Sequence, residues 1–123
     1  MLDTREDETF ISVSFDANST MKFHTLHIEL LETESAETIN ALITNIRNSM
    51  DSPVKIKAIL ENEESEPIAY SETLSIDPDD SDCLLFHFSP GTEEETVASI
   101  TLFIQGKLTD GYINFENIKL LRN

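Results

Sequence analysis

The sequence predicts an all-β fold: an antiparallel two-sheet β-sandwich, jelly-roll-like, with seven to eight strands. Three observations predict it. Apolar and polar residues alternate with period 2 in segment after segment, the mark of strands with one buried face. Short runs rich in Pro, Asn, Asp, Ser and Glu separate these segments. No series of helical patterns alternates with the strands, so two packed antiparallel sheets are favoured over a parallel one. An immunoglobulin-like sandwich is the second choice, although the chain has no Trp and only one Cys, so the antibody-type core signature is missing.

Residues 1 to 8 are charged and nearly devoid of apolar side chains, and they read as a frayed acidic tail. Residues 9 to 123 are expected to form a single domain. Its first strand alternates Ile11, Val13 and Phe15 with Ser12 and Ser14, and the turn formers Asp16 to Thr20 close it. The second alternates His24, Leu26, Ile28 and Leu30 with Thr25, His27 and Glu29. Residues 36 to 47 fit two patterns. Ala36, Ile39, Leu42, Ile43, Ile46 and Met50 share one face of a short helix, whereas Ile39, Ala41 and Ile43, or Leu42, Thr44 and Ile46, can each line one face of a strand.

The run Asn48 to Pro53 is a loop by composition, and Val54, Ile56, Ala58 and Leu60 then alternate cleanly with Lys55, Lys57 and Ile59. Ile68, Tyr70, Leu74 and Ile76 share a parity that Glu72 interrupts, which predicts a bulged strand at a sheet edge. Leu84, Phe86 and Phe88 face the core of the next strand, with Leu85 and His87 opposite. Cys83, set in the run Cys83-Leu84-Leu85-Phe86, is expected to be a buried, inert thiol. Ala98, Ile100, Leu102 and Ile104 alternate with Val97, Ser99, Thr101 and Phe103, and Asp110-Gly111 supplies a hairpin turn. In the last strand, Ile113 and Phe115 have one parity but Ile118 and Leu120 the other. A bulge near Glu116-Asn117 must reconcile them, with one of those two residues bonding local backbone.

A single domain of 123 residues, 39% of them hydrophobic, can build one core without staples. With 24 Asp and Glu against 8 Lys and Arg, the formal charge is -16. Such a surface repels phosphate backbones and anionic headgroups, so neither nucleic acid nor membrane is an expected partner. No apolar run is long enough for a transmembrane helix, and the start is unlike a secretory signal. No enzyme is expected, because neither Cys83 nor any Ser or His stands in a recognisable nucleophile motif. His24 and His27 fall on opposite strand faces and cannot easily share a metal. The acidic loops select no carboxylate pair for glycoside hydrolysis. Calcium suits them better, since it takes oxygen ligands, and Asp77, Asp79, Asp80 and Asp82 are the best cluster. Asn18-Ser19-Thr20 fits the N-glycosylation pattern, a short motif of little weight.

Four segments carry a family pattern: Phe23 to Leu30, then Ala41 to Asn48 followed by Pro53 to Leu60, and the closing Ile113-Asn114-Phe115-Glu116-Asn117-Ile118-Lys119-Leu120. From about residue 21 onward the chain resembles the jelly-roll carbohydrate-binding modules attached to bacterial polysaccharide-degrading enzymes. The resemblance favours the strand at 36 to 47, and it implies a non-catalytic module for a poly- or oligosaccharide, extracellular or at a cell surface. Composition alone fits a cytosolic chain equally well. Such modules stack aromatic rings on sugar faces. With no Trp and only two Tyr residues, the candidates are Tyr70 and Tyr112, helped by Asn114 and Arg47. A structural or assembly domain that contacts protein subunits is the alternative.

Overall fold

The computed structural model describes residues 10–15, 23–89, 91, 94–106 and 111–122. The tail at 1 to 8, the Asn18-Ser19-Thr20 motif and Asp110 lie outside them. Eight strands succeed one another: β1 Phe10–Phe15, β2 Phe23–Ser35, β3 Ile39–Asn48, β4 Val54–Glu61, β5 Pro67–Ile76, β6 Asp80–His87, β7 Thr96–Gly106 and β8 Gly111–Arg122. They form two antiparallel four-stranded sheets, sheet A in the order β1-β8-β3-β6 and sheet B in the order β2-β7-β4-β5. The fold is thus an all-β jelly-roll sandwich, and the ambiguous segment at 36 to 47 is a turn followed by strand β3.

The alternation decides which side chains are buried. Leu42, Ile46, Phe86, Ile113 and Phe115 from sheet A meet Ile56, Leu60, Ile100, Leu102 and Ile104 from sheet B in one continuous core. Asn48 is also completely buried, and it is fully used. Its amide donates to Ser52 O at 2.9 Å and Ile76 O at 3.2 Å, while its Oδ1 accepts the Met50 N–H at 2.9 Å. The β3–β4 loop is therefore tied to the end of β5 by a satisfied polar group, which burial demands.

Two bulges set the outward faces. In β8 the register against β3 shifts between Ile43 and Asn45, and Asn117 adopts a left-handed φ of 53°. Ile113, Phe115, Ile118 and Leu120 are consequently all buried, as the parity break required. The expected side-chain bond from Glu116 or Asn117 to local backbone is replaced by its converse: the buried Thr44 hydroxyl reaches across from β3 and donates to Glu116 O at 3.0 Å. Asn tolerates the left-handed region and a β-branched residue does not. Asn117→Val is therefore expected to cost about 1–2 kcal/mol in chemical denaturation, and Asn117→Gly to be close to neutral.

The second bulge lies in β5, an edge strand, where Lys57 pairs with Thr73 but Ile59 with Tyr70. Ser71 fills the gap: its Oγ accepts the Ala58 N–H at 2.8 Å and donates to Glu72 O at 2.8 Å. Ala69 and Ser71 point inward before the bulge and Ile76 after it. Tyr70, grouped with Leu74 and Ile76 by sequence parity, is turned outward instead. On this side the two sheets touch. Ser71 bridges Phe88, Ser89 N–H donates to Tyr70 O at 3.1 Å, and His87 N–H donates to Glu72 Oε1 at 2.8 Å.

Candidate functional site

The four residues expected to bind a ligand divide between two opposite surfaces. On the outer face of sheet A, register places Arg47 between Asn114 of β8 and Ser81 of β6. The Arg47 guanidinium donates from Nη1 to Ser81 Oγ at 3.2 Å. Around them a shallow depression of about 270 Å³ is lined by Asn45, Arg47, Ser81, Asp82, Asn114 and Glu116. Asn114 Oδ1 is buried in it with no hydrogen-bond partner among the described residues. Tyr112 is exposed two positions along β8 from Asn114. Among the described residues lining it, the depression holds polar groups of both signs and no aromatic ring.

Tyr70 belongs to the outer face of sheet B, where antiparallel register builds three rows of side chains. Thr25, Phe103, Lys57 and Thr73 form one row; His27, Thr101, Ile59 and Tyr70 form the next. Gln105, Lys55 and Ser75 lie in a third. A depression of about 250 Å³ is lined by Lys55, Lys57, Ile59, Thr73, Phe103 and Gln105. Tyr70 stands beside it, 46% exposed, and Lys57 Nζ sits 4.6 Å from its ring centroid. A cation over an aromatic face holds both side chains against the sheet. The result is an apolar floor in which the nearly buried Ile59 lies between Tyr70 and Phe103, rimmed by an amide, a hydroxyl and two ammonium groups.

A polar cluster bounds this floor at the far end. His27 Nδ1 lies 3.0 Å from Thr101 Oγ1. The Thr101 hydroxyl makes a short bond to Glu61 Oε1, and Ser99 Oγ donates to the same oxygen at 3.4 Å. Such a chain of carboxylate, hydroxyl and imidazole resembles a relay. However, Thr101 is only 6% exposed and its proton is spent on Glu61, so it offers no nucleophile to a substrate. The cluster fixes the orientation of His27 at the rim.

Of the residues on this face, the sequence reading names Tyr70 as a ligand candidate and does not name Phe103, Lys57 or Gln105 as one. Phe103 shares its parity with Ser99, Thr101 and Gln105, opposite Ile100, Leu102 and Ile104, so its outward placement is legible, but alternation alone does not mark it as part of a ligand surface. Among the described residues, no three His, Cys, Asp or Glu side chains are grouped so as to hold a metal. The aspartates considered for calcium trace the β5–β6 turn instead. Asp77 O accepts the Asp80 N–H at 3.3 Å, Asp79 takes a left-handed φ of 56°, and Asp80 and Asp82 each bond the next residue's N–H, at 2.9 and 2.8 Å. Pro78 followed by a positive φ gives a type II turn. Cys83, expected to be buried, is exposed: it lies on the outer face of sheet A beside its register partner Asn45, turned away from sheet B. His87 is exposed on the same side, its Nδ1 3.8 Å from Glu72 Oε2.

No protein-family model and no curated protein matches this sequence, but solved structures match its shape. Over 92% of its length the chain resembles 19% of the arabinose-bound MgGH51 α-L-arabinofuranosidase, at TM-score 0.65 and 14% identity. Over 98% it resembles 23% of PfGH50B, at TM-score 0.62 and 11% identity. The chain thus spans about a fifth of each of these proteins. Its extent agrees better with the family 11 carbohydrate-binding module of the cellulosomal cellulase Lic26A-Cel5E of Clostridium thermocellum: 97% of this chain matches 85% of that one, at TM-score 0.53 and 12% identity. The fold is that of the jelly-roll carbohydrate-binding modules. At this identity the likeness extends to the β-sandwich and not to any side chain. Among the described residues of this jelly-roll domain, the outer face of sheet B is the surface that joins outward-facing aromatic rings to a polar rim.

Proposed function

We propose that this domain binds a carbohydrate chain without cleaving it, on the outer face of sheet B, in an extracellular or cell-surface setting. The observation that carries the reading is the floor of Tyr70, Ile59 and Phe103 beside Gln105, Thr73 and Lys57. A pyranose presents a C–H face and a rim of hydroxyls. The floor matches the first, and the amide, hydroxyl and ammonium groups match the second. The likeness to carbohydrate-binding modules supports the same reading at the level of fold.

Docking to protein subunits has less support. The large exposed apolar side chains among the described residues, Tyr70, Tyr112 and Leu121, lie on different sheets or at opposite ends of β8, so they form no contiguous patch.

Affinity electrophoresis through a panel of soluble polysaccharides tests the proposal. At least one glycan is expected to retard the domain, and Phe103→Ala to weaken that retardation about 5- to 10-fold, in keeping with the loss of one partly buried ring. Asn114→Ala and Arg47→Ala, on the opposite sheet, should leave it unchanged. If the Phe103 variant binds normally while the Arg47 or Asn114 variant loses binding, the site lies on sheet A and the assignment fails.

A further inference from the structure

The charge on the outer face of sheet B narrows the class of glycan, provided that this face is the one that binds. The protein has a formal charge of -16 and only 8 basic residues. Among the described residues, Arg122 is held by Glu34 through two bonds of 2.7 and 2.6 Å, and Arg47 is bonded to Ser81. Lys119, on the outer face of sheet A, has no carboxylate within ion-pair distance among the described residues either, but Lys55 and Lys57 stand together. They are next to each other on one face of β4, line the same depression, and have no carboxylate within ion-pair distance among the described residues. Lys57 is also held in place by the Tyr70 ring. Glu61, two rows from Lys57 on the same strand, is 14% exposed and occupied by Thr101, Ser99 and His27.

We infer that the ligand is an anionic polysaccharide, carrying carboxylate or sulfate groups, whose sugar ring lies over Tyr70, Ile59 and Phe103 while its anionic group meets Lys55 and Lys57. In a chain so rich in carboxylates, two neighbouring lysines with no carboxylate partner among the described residues, beside an aromatic floor, create a local positive site. Overall negative charge does not prevent this, because screening confines exposed charges to a range of about 8 Å at physiological salt. Ammonium groups in contact therefore outweigh carboxylates on remote loops. Ionic contact also selects the partner, since a neutral glycan gains nothing from the lysine pair.

The test uses polygalacturonate and a sulfated galactan, each beside its uncharged form, the methyl ester and the desulfated polymer. The intact domain is expected to be retained by a charged polymer about tenfold more strongly than by its uncharged form, the sum of two exposed ionic contacts. That preference should vanish in about 1 M NaCl, where the screening length is about 3 Å. The double variant Lys55→Gln/Lys57→Gln should bind charged and uncharged forms equally, with an unchanged melting temperature. Because the ester and salt arms use the unaltered protein, they decide the matter even if the variant folds poorly. Equal retention by charged and uncharged forms overturns the inference yet leaves the sheet B face standing. Retention by no glycan at all overturns both. Preference for a single-stranded oligonucleotide over either anionic polysaccharide overturns the inference in favour of a nucleic-acid partner.

Discussion

Phe115→Ala is expected to lower the free energy of unfolding by about 3–5 kcal/mol, read from the midpoint of a urea titration. The ring is completely buried, and β8 lies between β1 and β3, opposite Ile11 on one side and Ile46 on the other. Both neighbouring strands are held in register there, so the sheet cannot readily collapse into the space vacated. The loss combines the transfer free energy of the ring with the cost of a cavity. Single domains are stable by only about 5–15 kcal/mol, so this one truncation would remove a large fraction of the total. Leu121→Ala, six residues along the same strand but 38% exposed, should change stability by no more than about 0.5 kcal/mol. Equal effects of the two would mean that the ring of Phe115 is not at the centre of the core.

Tyr70→Ala is expected to weaken glycan binding by about tenfold or more, a loss of at least about 1.4 kcal/mol, with no measurable change in stability. The ring is the largest exposed part of the floor, and removing it also frees Lys57, whose ammonium group rests on that ring. The backbone at this position does not depend on the side chain: Tyr70 N–H donates to Ser89 Oγ at 3.4 Å, and Tyr70 O accepts the Ser89 N–H at 3.1 Å. Tyr70→Phe separates stacking from hydrogen bonding. Affinity kept within about twofold would assign the effect to the ring face, whereas a loss equal to that of the Ala variant would assign it to the hydroxyl. Isothermal titration with the best polysaccharide of the panel measures both.

Much of the sandwich is legible in the chain because burial enforces period 2 wherever one face is wet. In β4, Val54, Ile56, Ala58 and Leu60 are buried, and the parity break between Phe115 and Ile118 is enough to locate the β8 bulge. The candidate site is less legible, for a reason the β5 bulge makes concrete. Counting by twos joins Tyr70 to Leu74 and Ile76, but the extra residue at Ser71-Glu72 reverses the parity between them. Nothing in the sequence says which side of the bulge faces outward. Cys83 shows the complementary difficulty. An apolar residue in an apolar run reads as buried, and only the packing of one sheet on the other decides which of a strand's two faces is covered. Residue type gathers Arg47, Asn114 and Tyr112 with Tyr70, and it is the strand order that sends them to the opposite surface.

The contact between β5 and β6 also bears on the company this protein keeps at high concentration. Both strands end a sheet, and an open sheet edge invites a foreign strand to add to its row of unpaired amides and carbonyls. Here part of that row is already occupied from within, by the Ser71–Phe88 bridge, the Ser89 and Tyr70 backbone pair and the Glu72 carboxylate on His87 N–H. The bulge that turns Tyr70 toward solvent thus also kinks and caps the edge next to it. An exposed aromatic ring can be displayed there without offering a neighbouring copy a template for edge-to-edge polymerisation.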